Sequence, residues 1–520
     1  MSEELSIEVG LDDIADPEAL GRLVARALGR SVADLPEWTV RRRSVDARRG
    51  SVKFHLVVAV GAVEAPQPVG PPPRAVAGDR RVVVIGDGPA GLFCGYELAR
   101  RGIPSVVLDR GRQVQPRRLD LRRLNQEGVV DVDSNYCFGE GGAGTYSDGK
   151  LYTRSHKRGD VRDVLEVLVQ HGAPPDILVD ARPHIGSNRL PKVVSALRDR
   201  LESVGVEFRF ETLVTGLDIS PERHVRGAVT AGGPIVGGAA VVLATGHSAG
   251  DVFDMLLAAG VELEPKAFAL GVRIEHPQPL IDDIQYGRHA GHPQLHAASY
   301  RLVHTVEDRS VFSFCMCPGG WIVPAATEPD GVVVNGMSLS RRDSPYANSG
   351  MVVSIEVEDA RAAGFEGPQA GLQLQRAIER RGFDAGGGAL RAPATRLTDF
   401  LGGRSSADVP DSSYVPGLTA GNLADVLDST GLPIAARLRE GLTAFGSKMR
   451  GFVSQEAVLV GVESRTSCPV RIPRDPESLE SPDLAGLYPC GEGAGYAGGI
   501  VSAALDGIRV ARAIAREWSP

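Results

Sequence analysis

Gly86, Gly88 and Gly91 have the G-x-G-x-x-G spacing that brings backbone N–H groups up to a phosphate. The first glycine permits a tight turn. The second leaves room for a pyrophosphate, and the third lets a helix pack closely on the preceding strand. In a chain with 63 glycines the spacing alone says little, but its surroundings say more. Val82 to Ile85 is an unbroken apolar run, as expected of a strand buried on both faces. A helix is predicted from Pro89 to about Arg100, with its N-terminal N–H groups and dipole facing an anion. A second strand, Ile103 to Leu108, leads to Asp109, where an acid about 20 residues on bonds a ribose hydroxyl. Strand, loop, helix, strand and acid in that order point to a bound dinucleotide. Whether it is a nicotinamide or a flavin this stretch leaves open.

Other side chains could do chemistry. Cys315 and Cys317 form a C-x-C. They could be reactive thiols, but i and i+2 share one face of a strand, so they read first as small buried residues. His247 follows Ala244-Thr245-Gly246 and could donate a proton, although a structural histidine is the plainer reading. Tyr146, Asp148 and Lys150 lie in the segment 135–154, whose five glycines between 139 and 149 mark a loop close to a ligand. Lys150 could face negative charge on a cofactor or substrate, or simply be a surface lysine. Arg273, Arg465 and Tyr496 are weaker candidates, and Cys94 and Cys490 read as packing. No second ligand pair stands at metal-binding spacing, so no metal is expected.

The elements that must position these groups follow from patterning. Residues 1–63 read as β-α-β-β: a strand at Leu5–Val9, a helix capped by Asp16-Pro17 and closed by Gly29, then strands at Trp38–Val45 and Val52–Val60. A Pro/Gly-rich linker spans 64–80. Helices are expected at about 160–171 and 191–204. Strands are expected within Val206–Leu217 and at Ala239–Leu243, Phe312–Val323 and Val332–Leu339. Near the end, Gly491-Glu492 follows a short strand, and Gly498-Gly499 opens a helix from about Ile500.

Composition sets bounds. At 520 residues the chain suits two to four domains. A net charge of −8 argues against nucleic acid or an anionic membrane as the main partner. The arginine-rich stretch at 41–49 sits in a unit whose acids offset it, so a solvated face or ion-pair strip is preferred to RNA binding. No apolar run is long enough to span a membrane, and MSEELSIEVG lacks a signal-peptide core. Six scattered cysteines suit a reducing cytoplasm. The oligomeric state is open.

Several stretches carry a family resemblance: Arg43-Ser44-Val45-Asp46-Ala47-Arg48, GEGGAGTYSDGKLYTR, ATGHSA, FSFCMCPGGWIVPAA, NGMSLSRR, ESRTSCPVRI and PCGEGAGYAGGI. With them the chain resembles a two-dinucleotide-binding-domain flavoprotein. It is most similar to the group named NAD(FAD)-utilising or FAD-dependent dehydrogenases. Asp109 stands where many such proteins carry Glu, and Glu492 where the wider class often has Asp. The resemblance implies an α/β fold: a Rossmann-like FAD-binding domain, a mixed α+β substrate domain and a small N-terminal β-α-β-β domain. The FAD-binding part would comprise 81–258 and the return 451–520, with the substrate part at 259–450.

Carried over residue by residue, the resemblance gives Gly86, Gly88, Pro89, Ala90 and Gly91 to the FAD pyrophosphate. Asp109 would take the adenosine ribose, with Arg110 beside it. Gly141, Gly142, Thr145 and Ser147 would line the stretch from pyrophosphate to flavin, and Val214 would meet the adenine. Thr245 and Gly246 would end the strand beneath the cofactor. Gly491 and Glu492 would reach the ribityl region, and Gly499 and Ile500 the pyrimidine side of the flavin. A helix N-terminus at Ile500 independently suits the negative charge of a reduced flavin. The glycine-rich return near Gly491–Gly499 favours flavin over nicotinamide, and no second strand–GxGxxG–helix unit is seen for NAD(P)H. NAD(P)H stays open as a transient co-substrate.

The implied function is an FAD-dependent oxidoreductase passing a hydride between a small organic substrate and flavin. Two alternatives stay open: an NAD(P)H-dependent monooxygenase, and an FAD-binding protein acting on RNA or a protein partner through residues 1–63.

Overall fold

The computed structural model describes residues 3–61, 70–153 and 159–518. Part of the expected linker (64–69) and Arg154 of the glycine-rich loop motif lie outside them. The fold is mixed α/β around a parallel sheet of five strands. Their order is Leu487–Pro489, Ala240–Leu243, Val82–Ile85, Ser105–Leu108 and Glu207–Arg209, all parallel. Val82–Ile85 is wholly apolar because both faces are covered. Val82 and Val84 join a cluster with the helices Pro89–Arg100, Leu190–Glu202 and Ile500–Trp518. Val83 and Ile85 face the antiparallel sheet Val214–Ile219, Val225–Thr230 and Ile235–Gly237 and the helix Gly250–Ala258. The sheet thus pairs strands from 82 to 489, and the chain returns to its own first strands near its end.

Between these visits the chain builds a mostly antiparallel seven-stranded sheet. Its order is Val303–Val306, Arg309–Cys317, Tyr346–Ile355, Phe268–Pro277, Val458–Glu463, Ala392–Arg396 and Leu418–Ala420. The helices Ala370–Gly386 and Ile434–Lys448 bury their apolar faces against it. Gly387, in the left-handed region, caps the first of these helices, so the triple glycine 386–388 is a helix end. The expected strand Phe312–Val323 is corrected. It is two strands, Arg309–Cys317 in the large sheet and Gly320–Pro324 in a ribbon with Val334–Ser338. The break falls at Pro318-Gly319, where Gly319 has φ +50° and a Cβ would meet the Arg342 carbonyl.

Residues 3–61 form the expected β-α-β-β unit, with Asp16 accepting from the Glu18 N–H as N-cap and Gly29 left-handed at the end. Its sheet order is Glu3–Val9, Lys53–Val60, Trp38–Asp46. Arg43 ties it to the rest through Asp180 at 2.8 Å, which is a structural use for one arginine of the basic stretch. No helix among the described residues is long and apolar enough to cross a membrane.

The helices Pro89–Arg100 and Ile500–Trp518 lie in close contact because Gly507 has no side chain. A Cβ there would stand 2.0 Å from the Ala90 carbonyl oxygen. A charge network around the buried Glu97 and Asp163 ties this pair together and to the helix Val161–Gln170. Arg100 forks onto Asp163 at 2.9 and 2.8 Å, and Arg512 reaches Glu97 at 2.8 Å. Gly507→Ala should therefore destabilise the protein by roughly 2–4 kcal/mol, because rigid backbone cannot yield. Gly21→Ala, in an open helical position, should be neutral or gain up to about 1 kcal/mol. Chemical denaturation of both variants checks the contrast, and a Gly507→Ala protein as stable as the parent would contradict it.

Candidate functional site

The central strands of the parallel sheet end at Ile85, Leu108 and Leu243, and the segments that follow them open onto a cavity of about 500 Å³. That is the end at which open α/β sheets bind ligands. Gly86, Gly88, Pro89 and Ala90 line the cavity, as do Asp109 and Arg110. Gly88 is the N-cap of the helix Pro89–Arg100. A Cβ on Gly88 would meet only the Gly142 Cα, at 3.9 Å, whereas a Cβ on Gly142 (φ +59°) would fall 2.9 Å from the Gly88 Cα. Two strips of bare backbone thus flank one entrance, a surface to which a diphosphate can come close.

The glycine-rich loop is held by two buried side chains. Arg117 is fully buried and donates to the carbonyls of Asn135, Tyr136, Glu140 and Gly142 at 2.8–3.1 Å. Asp109 works from the other side. Its Oδ1 accepts from the N–H groups of Gly111 and Gly139, and Oδ2 accepts from that of Asp87. A carboxylate oxygen carries two lone pairs, so Oδ2 keeps acceptor capacity for a hydroxyl in the cavity. Arg110 lies over the Phe138 ring at 4.6 Å and is braced by Asp133 and Asp251.

Gly142, Ser147 and Val214 line the same cavity, with Thr245, Gly246, Glu492, Gly499 and Ile500. The remaining predicted positions sit behind it. A Cβ on Gly91 would lie 1.9 Å from the Gly86 carbonyl oxygen, so this glycine serves packing. Gly141 makes room for Thr145, whose hydroxyl donates to the Glu140 carbonyl. The Gly491 N–H donates to Asp506, a buried acid that also receives the Arg474 guanidinium at 2.7 and 2.9 Å. These residues shape the walls without reaching the ligand space.

Among the catalytic candidates, Lys150, Cys315 and His247 line the cavity, while Cys317 and Tyr146 do not. The Tyr146 hydroxyl donates to the Val114 carbonyl, and its ring lies beneath Arg117. His247 Nδ1 stands 3.1 Å from a Glu492 carboxylate oxygen. Lys150 is no free surface lysine: it lies 3.3 Å from Asp148, which Arg342 and Ser338 also hold. Burial works against these charges, yet the paired cations keep Asp148 below, and Asp148 keeps Lys150 above, their ordinary ranges. Arg273 and Arg465 are anchored by Glu463 and Glu379, and Arg465 and Glu463 also border the cavity. Tyr496 packs its ring 3.8 Å from the Arg474 guanidinium. Among the described residues no group of three His, Cys, Asp or Glu is placed to hold a metal, and the six cysteines are unpaired.

The sequence reading passed over Phe314, Asn335 and Glu463, which the large sheet and its neighbouring ribbon bring to the cavity. It also passed over Asp87. This residue is wholly buried, and burial, then the neighbouring Asp109 and Glu140 carboxylates, raise its pKa well above the ordinary aspartate value. The shift favours the protonated, uncharged carboxyl. Below the ordinary pKa both folded and unfolded chains are protonated at Asp87, so the residue costs nothing there. Above it the unfolded chain ionises in water more readily than the folded chain, so stability falls as pH rises toward the folded pKa. Asp87→Asn should therefore be more stable than the parent at pH 7, and the gain should shrink toward zero below about pH 4. Denaturation at the two pH values checks this; an Asn variant that is the less stable at pH 7 would contradict it.

Comparison with known proteins adds the following. Residues 267–466 match the family described as FAD-dependent protein, C-terminal domain-like, and residues 1–61 match a domain of unknown function. Among solved structures, the chain is similar to a 3-ketosteroid-Δ4-(5α)-dehydrogenase from Rhodococcus jostii RHA1 in complex with 4-androstene-3,17-dione. The identity is 14%, covering 85% of this chain and 98% of that one, with a TM-score of 0.34. It is also similar to the open conformation of a flavocytochrome c3 fumarate reductase, at 14% identity, 84% and 78% coverage and a TM-score of 0.31. An uncharacterized protein of Clostridium beijerinckii (strain ATCC 51743 / NCIMB 8052) is 37% identical over 534 residues, covering 99% of this chain and 98% of that protein. With that identity along nearly its whole length, the chain belongs to the same protein family as the Clostridium beijerinckii protein.

Proposed function

We propose that this protein is an FAD-dependent oxidoreductase of the dehydrogenase type. It would move a hydride between a small organic substrate and FAD held in the cavity above the parallel sheet. The observation that carries this reading is one continuous cavity with two kinds of wall. One wall is bare glycine backbone and a helix N-terminus, with an acid at the end of the next strand. The other is side chains of the large sheet and its ribbon, Phe314, Cys315, Asn335 and Glu463, beside the turn Gly498–Ile500. The volume of about 500 Å³ lies within the range of small-molecule sites.

The residues present fit the cofactor. Gly88 and Gly142 bring bare backbone to the cavity wall, where the diphosphate would lie. Asp109 Oδ2 retains a lone pair for the ribose. The turn at Gly498–Ile500 offers the start of a 19-residue helix to the negative charge of a reduced ring. When bound, FAD supplies the two-electron chemistry that no side chain here provides. The protein's part is to bind, orient and exclude water, in a Rossmann-like FAD-binding layer roofed by the seven-stranded substrate layer. The match of 267–466 to a domain family described as FAD-dependent supports the reading.

Two experiments test it. Gly88→Val, at a position with ordinary φ and only one atom within 4 Å of its Cβ, should purify folded by circular dichroism but without flavin, and should not take up added FAD. A variant with the parent's flavin content would contradict the assigned cradle. Anaerobic addition of NADH or NADPH to the parent protein then sets the direction. Bleaching of the flavin spectrum means that a nicotinamide is the electron donor, and an unchanged spectrum means that electrons enter from the protein's own substrate.

A further inference from the structure

Lys150, Cys315 and Cys317 form a cluster that binding of a dinucleotide does not require. Cys315 is half-buried on the cavity wall, and Cys317 is fully buried behind it. One ammonium touches both sulfurs: Lys150 Nζ donates to Cys315 Sγ at 3.7 Å and to Cys317 Sγ at 3.4 Å. The strand does not run straight here. Its pairing with Tyr346–Ile355 shifts between Phe314 and Cys317, and Cys315 stands at φ +44°, a conformation side chains other than glycine rarely take. A regular strand would have made the two cysteines the packing residues that alternation predicts. The bulge instead turns one toward the cavity and keeps the other as its neighbour. Backbone strain of this kind concentrates at working sites.

We propose that Cys315 is a nucleophilic thiol of the cavity that adds to carbonyl-conjugated carbon–carbon double bonds, with the Lys150 ammonium holding its negative charge and then supplying the proton. The charged and titratable groups around it come from four segments. Cys317 lies on its own strand, and Lys150 with Asp148 on the glycine-rich loop. Arg273, which donates to the Cys315 carbonyl at 3.3 Å, comes from the strand Phe268–Pro277, and its partner Glu463 from Val458–Glu463. Together the Cys317 S–H and the Lys150 and Arg273 cations outweigh burial and hold the Cys315 thiol well below the usual cysteine range, while Cys317 is pushed up.

The step balances within the site. The Cys315 thiolate forms a sulfur–carbon bond at the β-carbon. The π pair of the double bond moves toward the carbonyl oxygen, and the α-carbon then takes a proton from the Lys150 ammonium, which lines the same cavity. The thiolate–ammonium pair thus becomes a thioether and a neutral Lys150 amine, and no external oxidant or reductant is consumed. Reversal of the same steps releases the alkene.

The probe is N-ethylmaleimide, itself a carbonyl-conjugated alkene, applied to the full-length protein as purified at pH 6. Peptide mass spectrometry follows each cysteine. Cys137 is the internal control, since it lines the same cavity with its sulfur beside the Ser248 hydroxyl and the Ala325 carbonyl. With the Lys150 ammonium on its sulfur, Cys315 should react about tenfold or more faster than Cys137. Lys150→Met should slow Cys315 about tenfold and move its pH–rate midpoint up, leaving Cys137 unchanged, while Lys150→Arg should keep most of the rate. Cys315 reacting no faster than Cys137 in the parent, or at an unchanged rate in Lys150→Met, would overturn the proposal. Neither readout needs flavin turnover, so this test can fail while the flavin reading stands, and the reverse.

Discussion

The cavity depends on a single buried guanidinium. Arg117 has no access to solvent, and its donors are used on four main-chain carbonyls of one loop. A loop so rich in glycine has little side-chain packing of its own and pays heavily in backbone entropy to adopt one shape. Planar, multiply donating arginine can satisfy divergent carbonyls at once, which the point charge of lysine cannot. Asp109 completes the frame from the strand side by accepting from Gly139, Gly111 and Asp87. With one cation fixing carbonyls and one anion fixing N–H groups, the strip between Gly88 and Gly142 becomes a surface of defined shape.

The rest of the architecture serves that strip. The parallel sheet delivers Gly86, Asp109 and Thr245 to one edge. The C-terminal helix packs on the helix Pro89–Arg100 at Gly507, and from its buried Asp506 it holds the Gly491 N–H behind the cavity wall. The large sheet then contributes the opposite wall. Its buried Arg273–Glu463 pair, at 2.7 and 2.9 Å, fixes Glu463 at a border of the ligand space. The cavity is therefore divided between a wall of bare backbone and a wall that presents side chains.

What could be read in the sequence was local. The phosphate loop, its helix, Asp109 and the turn at Gly498–Ile500 are set by short spacings, and the structure places them around one cavity. Arg117 carried a signal that was passed over: Val114, Arg117, Leu121 and Leu124 follow helical spacing, which puts the arginine on the buried face. The seven-stranded sheet carried little. Phe268 pairs with Ile355, and Arg273 pairs with Glu463, across distances that periodicity cannot span. The bulge at Cys315 escaped for the same reason. Alternation predicts two cysteines on one face, and only the pairing register with a distant strand reveals that the rule breaks there.

The most direct measurement of the central claim is the cofactor itself. The purified protein, denatured to release whatever it holds, should yield FAD by chromatography, and at saturation one FAD per chain. FMN in its place, or no flavin retained after reconstitution with excess FAD by a correctly folded protein, would contradict the account.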